Sequence, residues 1–76
     1  MREIKPNTRM RHFKNKEYIF LFKAEHTETG EMMAIYQAQY GDMKIYARPY
    51  EMFISEVNRE KYPDVKQKYR FEEIEN

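Results

Sequence analysis

The feature that most constrains the fold is a series of short runs of aromatic and branched side chains, each ended by a turn signal. The runs are residues 10–13, 18–25, 32–40 and 44–48, and the breaks between them contain Asn15, Gly30 and Gly41. Aromatic and β-branched residues favour strands, and Asn and Gly accept the backbone conformations that tight turns need. The pattern predicts antiparallel strands joined by hairpins.

Alternation along residues 18–25 predicts which side chains face the core. Strict alternation places Tyr18, Phe20, Phe22 and Ala24 on one face, and Ile19, Leu21, Lys23 and Glu25 on the other. We expect the first, aromatic face to be the buried one.

The second half of the chain contains shorter predicted elements. Pro49 should stop the fourth strand, and residues 49–53 should form one helical turn that tucks Met52 and Phe53 under the sheet. Residues 54–57 are predicted to return as a fifth strand, and a short final strand is expected around Phe71. Residues 58–68 are charged and interrupted by a proline, which predicts a loop, with a helical turn over residues 61–68 as the alternative.

These elements predict one mainly β domain over residues 1–76. Five or six short antiparallel strands with a single helical turn near residues 49–53 are typical of a small SH3-like β-barrel. Residues 1–8 form a basic N-terminal arm and residues 58–68 a charged loop in this interpretation. A core of this size supplies only about 3–5 kcal/mol of stability, so we also expect a homodimer.

Composition excludes several classes of protein. The chain has no cysteine, which excludes disulfides and thiolate sites, and no apolar run long enough to cross a membrane. The first residues lack the apolar stretch of a signal peptide, so we expect a cytoplasmic location. Residues 1–16 carry six cations against one anion, a local charge of +5, so an anionic partner would meet this region first.

The sequence lacks the residue patterns that catalysis or cofactor binding usually requires. Ser55 is the only serine, and neither histidine stands at a recognisable spacing from it. Two glycines cannot form a phosphate-binding loop or a dinucleotide fingerprint. His12, His26 and Glu28 lack the close spacing of metal ligands. We therefore expect no enzyme activity, no metal and no cofactor.

A set of aromatic, histidine and arginine side chains is the best candidate for a ligand site. Tyrosine offers a flat apolar face with a hydroxyl, histidine a switchable donor, and arginine a planar fork for phosphate or carboxylate. Pro49 biases the preceding Arg48 toward an extended backbone, which aims its guanidinium. The predicted ligand-binding residues are Arg48, His12, His26, Glu28, Tyr18, Tyr36 and Tyr46.

The same residues also have a purely structural interpretation. Tyrosines in a small barrel are often half-buried core residues whose hydroxyl groups contact water. His26, Thr27 and Glu28 could simply satisfy the amides of a turn, and Arg48 could pair with Glu51 or Glu28 at the surface.

Several spaced motifs resemble one family. They are Arg11-His12-Phe13-Lys14, Tyr18, His26-Thr27-Glu28-Thr29, Tyr36, Ala38, Tyr40-Gly41, Arg48-Pro49, Met52-Phe53 and Arg70-Phe71 with Ile74. Together they resemble a small bacterial and phage family, the domain of unknown function 1653. Asn15 and Tyr46 replace a usual glycine and tryptophan, and the loop 58–68 is longer than usual. The resemblance implies an SH3-like barrel and brings no assigned activity.

The leading functional hypothesis is a non-enzymatic module that captures a small anionic or nucleotide-like ligand on this aromatic, arginine and histidine face. The occurrence of the family in phages adds a role in sequestering a signalling nucleotide. One alternative is an adaptor that binds a peptide in an aromatic groove, with adaptable methionine contacts. The other is weak nucleic-acid binding through Arg9, Arg11 and Lys14.

Overall fold

The computed structural model describes residues 2–74 as five strands and one short helix. The elements are β1 (Thr8–His12), β2 (Glu17–Glu25), β3 (Met32–Ala38), β4 (Ile45–Pro49), α1 (Tyr50–Phe53) and β5 (Phe71–Glu73). They form one antiparallel sheet in the order β4-β3-β2-β1-β5. The predicted mainly β fold is confirmed. Within residues 2–74 there is no helix with the length and apolar character that crossing a membrane requires.

The two edge strands, β4 and β5, approach each other through side chains. They are not hydrogen-bonded neighbours in the described part of the chain. Instead, the guanidinium carbon of Arg48 in β4 lies 5.6 Å from the ring centre of Phe71 in β5. Backbone closure into an SH3-like barrel stays a prediction.

The prediction of a strand at residues 54–57 is wrong. Only one isolated bridge forms there, between Glu56 and Tyr69. Hydrogen bonds from Val57 N to Lys68 O and from Arg70 N to Ser55 O flank that bridge, at 2.9 Å each. The segment therefore ties the base of the charged loop together without adding a strand to the sheet.

The predicted alternation of β2 is wrong beyond Phe20, because the strand contains a β-bulge. Phe20 pairs with Tyr36 but Phe22 pairs with Ile35, so one extra residue, Leu21, is inserted. An inserted residue sends every later side chain to the opposite face of the sheet. Phe22 is consequently 51% exposed on the outer face, and Lys23 takes its place on the inner face opposite Ala34.

The core lies between the inner face of the sheet and α1. Its most buried large side chains are Phe20, Phe53, Phe71 and Met10. Phe53 is buried as predicted, but Met52 is 47% exposed, and Tyr50 is buried in its stead. On a single helical turn, residues three apart share a face, so Tyr50 and Phe53 point inward together.

The start of the predicted basic arm is docked onto the core. Ile4 is buried, and its backbone N–H donates to the Tyr50 hydroxyl at 2.9 Å. That hydroxyl donates in turn to the carbonyl of Arg2 at 3.1 Å. The Arg2 guanidinium donates to the carbonyls of Ile54 and Phe71 at 3.1 and 3.0 Å. These contacts link the N-terminal segment to α1 and β5.

We expect Tyr50→Phe to lower the free energy of unfolding by about 1–3 kcal/mol, because it leaves the buried Ile4 N–H without an acceptor. Urea unfolding followed by circular dichroism measures this. Tyr46→Phe is the matched control, since Tyr46 is 41% exposed. Equal midpoints for the two variants would contradict the structural role of the Tyr50 hydroxyl.

Candidate anion-binding site

A pocket of about 280 Å³ opens where the end of β1, the end of β4 and the charged loop meet. Its lining residues carry four permanent cations and no carboxylate. They are His12, Phe13, Lys14, Arg48, Asn58, Lys61, Tyr62 and Arg70. We call this the cationic pocket. Such a concentration of one charge sign favours a negatively charged ligand.

The two arginines of the cationic pocket form no ion pair with a carboxylate among the described residues, although the Arg48 guanidinium contacts the Phe71 ring and the Tyr36 side chain. Nη1 of Arg48 and Nε of Arg70 are buried without a hydrogen-bond partner among the described residues. Arg2 and Arg11, in contrast, form ion pairs with glutamates elsewhere on the molecule. A buried guanidinium nitrogen without an acceptor is costly, and an anion is the group that would remove this cost.

His12 is held in its neutral form within the cationic pocket. Its Nδ1 accepts a hydrogen bond from the backbone N–H of Lys14 at 3.1 Å, so the neutral ring carries its proton on Nε2. Burial, reinforced by the charges of Arg48, Lys14 and Arg70, lowers the pKa of His12 to about 4. At pH 7 the ring is therefore an uncharged N–H donor.

This lowered pKa predicts a pH dependence of stability. Between the unfolded pKa near 6.5 and the folded pKa of about 4, the unfolded chain binds more protons at His12 than the folded chain does. The contribution of His12 to stability should therefore fall as pH drops from 6.5 to 4 and level off below. We expect His12→Gln to flatten this slope in thermal unfolding measured across that range. An unchanged slope would contradict a depressed histidine pKa.

An aromatic wall borders the cationic pocket on the loop side. The rings of Phe13 and Tyr62 meet edge to face, with centroids 4.9 Å apart. The Nζ atoms of Lys14 and Lys61 lie 5.6 and 5.5 Å from the Tyr62 ring centre. Desolvation would raise the pKa of the Tyr62 hydroxyl, but these two ammonium groups outweigh it and lower the pKa.

The predicted tyrosines pack behind the cationic pocket and do not line it. Tyr18 and Tyr36 contact the Phe71 ring at centroid distances of 5.5 and 5.4 Å, and Tyr46 lies 5.7 Å from Tyr36. The Tyr18 and Tyr40 hydroxyls share a hydrogen bond of 2.6 Å. Burial raises the pKa of both Tyr18 and Tyr36, although the charge of Arg48 opposes the rise at Tyr36. These rings pack around Phe71, which in turn contacts the pocket residues His12 and Arg48.

His26 and Glu28 lie elsewhere, and their assignment to one site with His12 is a correction. They occupy the exposed β2–β3 turn, where His26 Nδ1 accepts from the Glu28 N–H at 3.2 Å. The nine residues of β2 separate the two ends of the sheet by roughly 26 Å. The pair satisfies its own turn, and no cluster of three potential metal ligands occurs within residues 2–74.

The basic residues of the nucleic-acid alternative are divided between two surfaces. Arg9 and Arg11 reach Glu17 on the outer face, with N–O distances of 3.2 and 3.9 Å. Lys14 belongs to the cationic pocket. The three cations therefore do not form one surface for a phosphate backbone.

Sequence reasoning missed five lining residues of the cationic pocket, which are Phe13, Asn58, Lys61, Tyr62 and Arg70. Arg70 had a signal, because it stands beside Phe71 in a motif that carries the family resemblance. Lys61 and Tyr62 had none, since a charged segment with a proline is typical of a solvated loop.

Comparison with known proteins identifies a family. The model of the family described as "Protein of unknown function (DUF1653)" matches residues 8–73. No curated protein and no solved structure matches the chain. The match covers every strand and all the lining residues of the cationic pocket. The chain therefore belongs to the DUF1653 family.

Proposed function

We propose that the chain is a non-enzymatic binding module that captures a small phosphate-bearing anion in the cationic pocket. The pair of buried, unpartnered nitrogens on Arg48 and Arg70 carries this proposal. Guanidinium forks match the oxygen geometry of phosphate and carboxylate, and hydrogen bonds between ionised groups are stronger than neutral ones. The lining residues include no serine, cysteine or carboxylate, which supports capture of the ligand over its chemical conversion.

The size of the cationic pocket supports a small ligand. About 280 Å³ is near the lower end of the range for ligand pockets, roughly 300–1,000 Å³. Because Nη1 of Arg48 and Nε of Arg70 are covered by protein atoms, an incoming anion would meet other guanidinium nitrogens first, or the two side chains would shift toward it. His12 would add an uncharged N–H donor.

Native mass spectrometry of the protein purified from cells tests the proposal, together with thermal unfolding in the presence of adenosine monophosphate. We expect a retained anionic ligand or a rise in melting temperature. The matched variants are Arg48→Gln, which should lose the effect, and Arg11→Gln, which should keep it, because Arg11 lies outside the cationic pocket. Neither a retained mass nor a thermal shift in the wild-type protein would contradict the proposal.

Three more specific hypotheses stay predictions: sequestration of a signalling nucleotide, a homodimer and a peptide partner. Sequestration of a signalling nucleotide is one use of an anion-capturing module that has no converting groups. The expected homodimer has apolar area available, since Phe22 and Ile45 are 51% and 60% exposed on the outer face. The alternative of a peptide bound in an aromatic groove also stays a prediction.

A further inference from the structure

We infer that the turn formed by residues 58–62 recognises a ring attached to the phosphate, so that the ligand is a nucleoside monophosphate and not a bare inorganic anion. We call this segment the 58–62 turn. The inference rests on the proposed function, because it takes an anion beside Arg48 and Arg70 as its starting point.

The 58–62 turn has a defined shape despite its charged sequence. The side-chain oxygen of Asn58 accepts from the backbone N–H groups of Glu60 and Lys61 at 3.0 and 3.2 Å. The Asn58 carbonyl accepts from the N–H of Tyr62 at 2.9 Å. Local side-chain caps of this kind fix a turn without help from a regular element. Lys61 and Tyr62 are therefore held at the cationic pocket.

The rest of the charged loop braces this turn. The Arg59 guanidinium donates to the carbonyls of Val65 and Gln67, the latter at 3.0 Å. The Gln67 amide donates to the carbonyls of Arg11 and Tyr69 at 3.0 and 2.8 Å. These bonds connect the loop to β1 and to the segment before β5, so it is organised as part of the domain.

The cationic pocket has two chemically different sides. Arg48 and Arg70 each supply a guanidinium group with one buried nitrogen that has no hydrogen-bond partner among the described residues, and such groups fit a phosphate. Phe13 and Tyr62 supply half-buried aromatic rings, which fit the face of a planar base. Lys14 and Lys61 flank the Tyr62 ring and attract the negative charge of the ligand. One phosphate joined to one ring uses both sides of a pocket this small.

Isothermal titration calorimetry of the full chain tests this inference with two probes, inorganic phosphate and adenosine monophosphate. We expect the wild-type protein to bind adenosine monophosphate about tenfold more tightly or better, the gain typical of stacking one base on an aromatic ring. Tyr62→Ala should reduce this preference to near unity while phosphate affinity stays within about twofold, because the stacking contact is lost and the arginines remain.

Two control variants separate stacking from general damage to the loop. Tyr62→Phe keeps the ring and should keep the preference. Lys66→Ala removes an exposed cation of the same loop that does not line the pocket, and it should also keep the preference. Thermal unfolding of each variant verifies that it folds.

The outcomes distinguish this inference from the proposed function. Equal wild-type affinities for the two probes, or a preference that survives in Tyr62→Ala, would overturn ring recognition while phosphate binding still upheld the proposed function. Binding of neither probe would remove both proposals.

Discussion

Replacing Phe71 by alanine will leave about half of the protein or more unfolded at room temperature. Phe71 is 1% exposed, and its ring stacks on Phe53 at a centroid distance of 4.2 Å. It also contacts the rings of His12, Tyr18 and Tyr36. Truncating a buried phenylalanine costs about 3–5 kcal/mol, which equals the whole net stability of a core this small, about 3–5 kcal/mol.

Urea unfolding followed by circular dichroism measures this loss. Phe22→Ala is the matched control, because it deletes the same ring from a position that is 51% exposed on the outer face. We expect that variant to lose less than about 1 kcal/mol. A cooperative Phe71→Ala transition with a midpoint close to that of the control would show that the core is not centred on this ring.

Replacing Arg48 by methionine will weaken anion binding by about tenfold or more while raising the stability of the protein measured without added anion. Methionine keeps the unbranched stem and removes a guanidinium whose Nη1 is buried without a partner. Losing a charge-assisted hydrogen bond costs about 1.5–3 kcal/mol of binding free energy. Removing a guanidinium with an unpartnered buried nitrogen should stabilise the fold by more than the lost contacts with Phe71 and Tyr36 destabilise it, for a net gain of about 1 kcal/mol, or about 4–8 °C in melting temperature.

The opposite signs of the two effects make this prediction discriminating. A side chain that served only the fold would, on replacement, lower the melting temperature without a specific change in anion binding. Arg11→Met is the control, since it removes an exposed cation that pairs with Glu17 on the outer face. A drop in the melting temperature of Arg48→Met with unchanged anion binding would contradict a functional role for Arg48.

The local turn chemistry explains why the hairpins that join β1 to β2 and β2 to β3 could be predicted. Asn15 and Gly30 both adopt positive φ, 70° and 76°, as their positions between strand-like runs indicated. The bulge at Leu21 could not be predicted, because an unbroken run of apolar residues carries no mark of an inserted residue. The structure places that residue only through the pairing of β2 with β3.

Residues of the candidate site could be predicted only where the neighbouring sequence restricts the direction of the side chain. Arg48 before a proline, and His12 at the end of a strand, both lie at the cationic pocket. His26 was grouped with them by residue type, although β2 carries it to the other end of the sheet. Arg70 and Tyr62 reach the pocket through pairing that joins Glu56 to Tyr69 and Val57 to Lys68, which is long-range information that spacing does not contain.

The most direct measurement of anion capture is a heteronuclear NMR titration that follows the Nε–H signals of the arginine side chains while inorganic phosphate is added to the wild-type protein. We expect saturable shifts of the Arg48 and Arg70 signals, and little change at Arg11 on the opposite face. Shifts of similar size at all three arginines, or none at the two in the cationic pocket, would contradict the account.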